Sequence, residues 1–286
     1  MSFKGIKVAF IGSGIMAEAM MKGLLNKKLL TAEQIVGADP REDRGAELTA
    51  QYGIQFTTDN LAAAQQADVL VLSVKPQAME KVMPSVRRGA HGAKMVLSIV
   101  AGVPIRTIAT GVANASVVRA MPNTPAQIGQ GITVWTATPE VPEAQHEQAR
   151  MLLGALGDEI YMDDERYLDM ATALSGTGPA YVFMFMEALI DAGVHMGFSR
   201  RDAERLVMQT IRGSVAYAEA SGLHPAQLRN QVTSPGGTSA EAIYHMEKGG
   251  LRTVISRAVW AAYRRSVALG GGGDSRNPDK NGSDDK

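Results

Sequence analysis

Two short stretches of this chain carry residue types and spacings suited to holding anions. In "VAFIGSGIMAEAM" the residues Gly12, Ser13, Gly14, Ile15, Met16 and Ala17 form a G-x-G-x-x-A pattern where an apolar run ends and a helical one opens. Gly12 permits a tight turn, Gly14 lets backbone approach a pyrophosphate, and Ala17 allows close helix packing, while the helix start offers amides to phosphate. On its own the pattern also fits a structural glycine turn. Its place after the first strand, and the carboxylate of Asp39 at the end of the second strand about 20 residues further on, favour a dinucleotide. Asp39 suits NAD, because a carboxylate repels a 2′-phosphate, but Arg41 and Arg44 stand just beyond it and could pair with one. The residues leave NADH and NADPH both open, and a turn or capping role for Asp39 ahead of Pro40 is the alternative.

The second stretch, "SPGGTSAEA" at residues 234–242, lies far from the first along the chain. Gly236 and Gly237 can expose amides without side-chain obstruction, as a carboxylate site demands, and Ser234, Thr238 and Ser239 add hydroxyls at a helix start. The competing reading is an ordinary Pro-Gly turn in which Thr238 or Ser239 caps the next helix. "SVKPQ", "VAGVP" and "RAMPNTPA" place Lys75, Pro76, Ala101, Gly102, Met121, Pro122, Asn123 and Thr124 in loops at carboxyl ends of strands, the edge where open α/β sheets bind ligands. Asn123 and Thr124, between two prolines, read as polar groups rigidly presented. Glu187, Asp191 and His195 share a helix face at i, i+4 and i+8, but a polar stripe satisfied across a dimer explains them better than a metal, whose ligands come from several elements. His91, His146, His224 and His245 show no ligand spacing, and no catalytic metal is expected.

These groups need a scaffold, and the apolar periodicity supplies one in two parts. Through residues 5–162 short apolar runs alternate with helical patterns, which signals βα units and a mostly parallel sheet. The strand candidates are "IKVAFIG", "IVGAD", "IQFT", "ADVLVLSV", "KMVLSIV", "SVVRAM", "ITVWTAT" and "EIYM", with helices at about 15–26, 43–52, 77–88 and 142–156. From about residue 163 the pattern is helical throughout, with Ser199 as an N-cap, Gly222 at a helix end and Pro225 in a first turn. The predicted division is a doubly wound α/β domain over 1–162, an all-α domain over 163–269, and a tail over 270–286 without apolar anchors, expected to be disordered. The helix from Pro179 is apolar nearly all round, so a partner subunit is expected to cover it.

A formal net charge of +0 gives no electrostatic reason for a nucleic-acid or acidic-membrane partner and leaves small-molecule work. With no cysteine, disulfides, thiolate nucleophiles and cysteine-held metals are excluded together. The opening "MSFKGIKVAFIGSG" enters a strand without a secretory pattern. No uninterrupted apolar run is read as a membrane span, since "AYVFMFMEALIDAGVHMGF" carries Glu187, Asp191 and His195. A cytoplasmic location is the expectation.

Taken together, "GSGIMAEAM", "SVKPQ", "RAMPNTPA", "ALSGTGPAYVF" and above all "LRNQVTSPGGTSAEAI" resemble the pyrroline-5-carboxylate reductase family over roughly residues 5–269. The most specific element is the last, in which Pro225, an apolar run, Thr233, Ser234, Gly236, Gly237 and a helix start recur at fixed spacing. The resemblance implies an enzyme that reduces the cyclic imine Δ1-pyrroline-5-carboxylate to L-proline with NADPH or NADH. It implies a Rossmann domain joined to an all-α dimerisation domain, with further assembly of dimers in some members. It also implies that the loop from Ser234 to Ser239 holds the substrate carboxylate and ring nitrogen, near the nicotinamide of the partner subunit. Met121, Pro122, Asn123 and Thr124 match the loop beside the nicotinamide, and Asn60 and Lys75 match cofactor-side positions.

Two departures from the family pattern stand out. Ser239 replaces the usual Thr, keeping the hydroxyl and losing the methyl that fixes its rotamer. Asp39 stands where many members place a residue friendlier to a 2′-phosphate. Reducing a C=N bond needs a hydride on carbon and a proton on nitrogen, and a protonated imine is already electrophilic, so positioning matters more than a strong acid. Ser239, with Thr238 beside it, is the expected hydroxyl at the nitrogen. Two rival readings are a β-hydroxyacid dehydrogenase and a non-enzymatic dinucleotide-binding redox sensor. The first needs a lysine base early in the second domain, and no lysine occurs between Lys94 and Lys248. The second needs no small-anion loop.

Overall fold

The computed structural model describes residues 3–271. Eight strands, β1 (Val8–Ile11), β2 (Ile35–Ala38), β3 (Gln55–Thr57), β4 (Val69–Leu72), β5 (Met95–Ser98), β6 (Val117–Met121), β7 (Gly131–Ala137) and β8 (Gly157–Tyr161), form one sheet in the order β3-β2-β1-β4-β5-β6-β7-β8. Each falls on one of the apolar runs expected to be a strand. All residues of β1, β2, β4 and β5 are buried, because helices cover both faces of a parallel sheet. This is why those strands read as continuous apolar runs without alternation. The sheet is parallel except between β6 and β7, whose connection from Met121 to Gly131 is too short for a helical crossover.

The helices α1 (Ile15–Asn26), α2 (Glu42–Tyr52), α3 (Asn60–Gln65), α4 (Met79–Gly89), α5 (Ile105–Val112) and α6 (Glu143–Gly154) lie between the strands. Of these, α3 and α5 escaped the periodicity reading because so few turns do not span the window over which a 3.6-residue period shows. Then follow α7 (Arg166–Ala171), a π-helical turn at Thr172–Gly176, α8 (Gly178–His195), α9 (Arg200–Ser221), α10 (Pro225–Gln231), α11 (Thr238–Lys248) and α12 (Leu251–Leu269). A doubly wound, mostly parallel α/β half followed by an all-α half is the expected class.

Among the described residues the chain forms two compact units, 3–177 with 262–271, and 178–261. Their limits differ from the 162/163 division expected from the change of period. Leu168 and Ala171 of α7 pack with Val134 of β7, so the first helix after the last strand belongs to the sheet. The end of α12 returns to the same unit, where Ser266 Oγ donates to Asp169 Oδ1 at 2.7 Å. Gly270 and Gly271 close α12 in a turn, and the rest of the expected tail lies outside the described residues.

Within the helical unit, α8 packs on α9 where Ala203 faces Gly193. Several of its apolar side chains are bare, Met184 being 74% exposed and Phe183 61%. By length and composition the helical stretch Arg166–His195 is apolar enough to cross a membrane, contrary to the expectation from the interrupted run. Its charged residues are too few, over a long continuous helix, to lower the mean hydropathy.

Polar pins hold the loops at the end of the sheet. The Arg44 guanidinium donates from Nε to the Ser13 carbonyl at 2.8 Å, from one terminal nitrogen to Glu47 at 2.7 Å, and from the other to Glu18. Tyr52 donates to Glu18 at 2.8 Å. Burial alone would raise the Glu18 carboxyl, but hydrogen bonds from Arg44 and Tyr52 and the charges of Arg44 and Lys22 outweigh it and hold it below its ordinary value. Burial and the bond to Glu18 push the Tyr52 phenol up to about 12. Ser73, just past β4, donates to the Gly12 carbonyl at 2.6 Å. Farther along, Arg119 inside β6 pairs with Glu165, which also accepts from the Ile105 amide at 2.6 Å and so anchors the start of α5.

Two outcomes are expected. A Cβ on Gly23 of α1 would overlap the Ala155 carbonyl oxygen, so Gly23→Ala, which helix propensity alone would favour by about 1 kcal/mol, should instead destabilise the protein by about 1–3 kcal/mol through overpacking. A lower urea midpoint with an unchanged slope is the measure. Because the folded-state pKa of Glu18 is depressed, its contribution is present above the ordinary value of 4.5 and is lost as pH falls through the folded value. Glu18→Gln should therefore be less stable than wild type near neutrality and show a shallower acid limb in urea midpoints measured stepwise below pH 4.5.

Candidate active site

The glycine turn after β1 is built as its sequence suggests. Gly12 has φ +92°, and a Cβ there would stand 2.7 Å from Val74 Cγ1 and 2.9 Å from the Val74 amide nitrogen, so only glycine fits. Its amide donates to the Ala38 carbonyl at 2.8 Å, tying the end of β1 to β2. Ser13 is fully buried and donates through its amide to Asp39 Oδ2 at 3.1 Å and through Oγ to Ala38 O at 3.3 Å. Gly14 is the N-cap of α1, without a side-chain cap, and a Cβ on it would meet nothing within 4 Å. The open space and the first amides of α1, at Ile15, Met16 and Ala17, form the cradle a pyrophosphate requires. Ala17 itself is buried, closing the helix onto the sheet.

Asp39 is 8% exposed, and its Oδ1 accepts from the amide and Nε of Arg41, each at 3.2 Å. The structure separates the two arginines that the sequence offered equally to a 2′-phosphate. The Arg41 side chain is 58% exposed, whereas Arg44 is 9% exposed and turned inward onto two carboxylates.

Because β1 to β6 run the same way, the other expected cofactor residues fall along one edge of the sheet. The strand order reverses between β1 and β4, where Gly12 faces the loop of Ser73, Lys75 and Pro76, and such a switch point is where open sheets bind ligands. Lys75 and Pro76 are exposed there. Asn60 is the first residue of α3, whose N-cap Asp59 accepts from the Leu61 amide at 2.8 Å. Beyond β5, Ala101 is half-buried and Gly102, at φ +71°, lies against Leu269 at the end of α12. After β6 the side chain of Met121 lies against Gly176, Pro122 is buried and Thr124 is exposed. Asn123 does not present its side chain as the sequence suggested. Its Oδ1 accepts from the Ile132 amide at 3.0 Å and its Nδ2 donates to the Ser175 carbonyl at 3.2 Å, so it pins the loop to β7 and the π-turn.

The helical unit carries the second loop. Gly236 has φ +71°, the Gly237 amide donates to the Ser234 carbonyl at 3.0 Å, and Gly237 is the N-cap of α11. Thr238 and Ser239 are thus the first and second helical residues. Neither occupies the capping position, and no side-chain hydrogen bond caps this helix. Ser234 Oγ lies 2.6 Å from where a Cβ on Gly237 would be, so glycine there leaves room for the hydroxyl over the turn. Upstream, Thr233 Oγ1 donates to the Arg229 carbonyl at 2.6 Å, and His224 caps α10 by accepting from the Ala226 amide at 3.2 Å. The result is an amide-lined, hydroxyl-bearing helix start of the kind that holds carboxylates.

Elsewhere, Asp191 on α8 pairs with Arg200 at 3.1 Å, and among the described residues no group of three or more His, Asp or Glu could hold a metal. Sequence reasoning missed the clasp by Ser73 and the buried ion pairs of Arg44 and Arg119. A charged residue in the middle of the apolar strand "SVVRAM" was the available signal for Arg119.

Residues 165–269 match a family model described as pyrroline-5-carboxylate reductase dimerisation, and residues 7–102 match one described as NADP oxidoreductase coenzyme F420-dependent. The pyrroline-5-carboxylate reductase of Synechocystis is 40% identical over 265 residues, covering 93% of this chain and 98% of its own length. Among solved structures, a pyrroline-5-carboxylate reductase from Coxiella burnetii is 34% identical with a TM-score of 0.84, over 92% of this chain and 98% of that one. The Plasmodium falciparum pyrroline carboxylate reductase with NADP bound is 31% identical with a TM-score of 0.85, over 93% and 98%. The dimerisation model spans α8, whose bare apolar side chains suit a surface for association. With a glycine-turn dinucleotide site in one unit, an uncapped carboxylate-type helix start in the other and this likeness along nearly its whole length, the chain belongs to the pyrroline-5-carboxylate reductase family.

Proposed function

We propose that this chain reduces Δ1-pyrroline-5-carboxylate to L-proline, the last step of proline biosynthesis, using NADPH or NADH. The observation that carries the reading is the open start of α11. A glycine N-cap leaves its first amides without a side-chain acceptor, beside the hydroxyls of Ser234, Thr238 and Ser239, in a chain that also bears a dinucleotide turn.

The division of labour follows from the residues. The amides at Thr238 and Ser239, with the positive end of the α11 dipole, hold the substrate carboxylate, while the Gly237 amide stays on the Ser234 carbonyl and fixes the turn. The Ser239 hydroxyl hydrogen-bonds the ring nitrogen and orients its proton, while Ser234 and Thr238 complete the polar wall. Gly12, Gly14 and the first amides of α1 hold the pyrophosphate, Asp39 meets the adenosine ribose, and Asn60, Lys75, Pro76, Ala101, Gly102 and Met121 to Thr124 line the rest of the cofactor edge. The nicotinamide, once bound, supplies hydride to the imine carbon. Since the substrate nitrogen is protonated before transfer, the protein supplies preorganised orientation and electrostatics.

A homodimer built on α8, acting in the cytoplasm and joining further dimers into a larger assembly, completes the proposal. Balanced charge favours neither nucleic acid nor membrane, and Glu187 and Asp191 on α8 suit a protein interface better than lipid.

Mixing the protein with pyrroline-5-carboxylate and NADH or NADPH should consume the absorbance of the reduced nicotinamide. No turnover with either cofactor, or turnover only with a 2-hydroxy acid and the oxidised cofactor, would overturn the reductase reading. Ser239→Ala should lower kcat by about 10- to 100-fold, the range for a lost hydrogen bond to a charged group, with dinucleotide affinity unchanged. Ser239→Thr should restore the rate, and an unchanged kcat in Ser239→Ala would remove Ser239 from the chemistry.

A further inference from the structure

The proposed reaction accepts either reduced dinucleotide, which differ only by a phosphate on the adenosine ribose. We infer that this site is built for a 2′-hydroxyl and against a 2′-phosphate, so that NADH is the working hydride donor and Asp39 is the residue that selects it. The inference rests on the dinucleotide site described above and deepens the reductase reading.

Asp39 cannot turn away from an incoming phosphate. One carboxylate oxygen accepts from the buried Ser13 amide at 3.1 Å, and the other from the Arg41 amide and Nε at 3.2 Å each. Swinging it out would strand the Ser13 N–H, at 0% exposure, without its acceptor. A carboxylate has more lone pairs than these donors use, so it can still accept from a ribose hydroxyl. A phosphate has no such proton to give when fully ionised and adds negative charge beside a fixed one.

The surrounding charge does not compensate. Arg44 is held inward by Glu18, Glu47 and the Ser13 carbonyl, and moving it would break the pin of the glycine turn. Arg41 is an exposed cation whose Nε is already on Asp39, so a phosphate reaching its terminal nitrogens would share a charge that the fixed carboxylate already offsets. The N-terminus of α2 is the other attraction open to a phosphate, yet Glu42 and Asp43 occupy its first turn and offset its positive end. Near the glycine turn and the start of α2, Glu18, Asp39, Glu42, Asp43 and Glu47 thus stand against Lys22, Arg41 and Arg44. The Plasmodium relative with NADP bound shows that the fold itself admits the extra phosphate, which leaves the choice to these side chains.

The test is binding to the full chain without substrate, read from nicotinamide fluorescence as NADH or NADPH is titrated in low-salt buffer. Wild type should bind NADH at least about tenfold more tightly, the discrimination expected for one strong polar mismatch. Asp39→Asn keeps an acceptor for the Ser13 amide and removes the charge, and it should shift the NADH-to-NADPH preference by about tenfold or more toward NADPH. Should Asp39→Asn misfold by circular dichroism, the exposed pair Glu42→Gln with Asp43→Asn should move the same ratio in the same direction. Equal or tighter NADPH binding by wild type, a ratio unmoved in the folded variants, or binding of neither dinucleotide would each overturn the inference. A failure of the reductase reading is distinct, because it would appear as tight NADH binding without turnover of pyrroline-5-carboxylate.

Discussion

The buried amide of Ser13 and the carboxylate of Asp39 form the joint on which the cofactor end of the molecule depends. Gly12 turns the chain through a conformation closed to other residues, and the turn stays in place because its polar groups are taken up on every side. Ser73 holds the Gly12 carbonyl, Arg44 holds the Ser13 carbonyl, and Asp39 holds the Ser13 amide. Buried backbone groups tolerate no vacancy among such partners, so each side chain fixes the next. Asp39 is thereby a structural acceptor and, in the proposed complex, also the charge that the ribose would meet. A group with both duties cannot relax to suit a different ligand.

The two candidate binding loops use one device. In each, a glycine takes the N-cap position and no side chain caps the helix, so the first amides of α1 and of α11 are available to an anion. A serine or threonine at the cap would stabilise either helix by about 1 kcal/mol and would compete with the ligand for the same donors. The chain forgoes that stability at both places. Ser199 and His224 cap α9 and α10 with their side chains, while α2, α4, α5, α6 and α7 start without such a cap behind residues other than glycine.

Much of this was legible in the residues. All eight strands, the glycine turn, the edge occupied by the cofactor loops and the helical second half follow from period, glycine spacing and turn chemistry, because such signals are local. The boundary between compact units was not legible, since a change of period marks a change of element and α7 still packs on the sheet. Asn123, between its prolines, reads as presented in the sequence and is turned inward in the fold, because its partners, Ile132 and Ser175, are brought to it only by folding. Arg119 looked anomalous in an apolar strand and is explained by Glu165, another partner distant in sequence.

The sequence by itself determined which elements form and which loops carry chemistry, for these depend on residues a few positions apart. It left Arg41 and Arg44 equivalent, and it left Ser239 undecided between cap and chemistry. Tertiary structure separated the arginines by turning one onto Glu18 and Glu47. It also placed Gly237, rather than Thr238 or Ser239, at the cap of α11. The physical reason is the same in both cases. Whether a polar group is available to a ligand depends on what else is within hydrogen-bonding distance of it, and that is set by contacts between residues far apart in the chain.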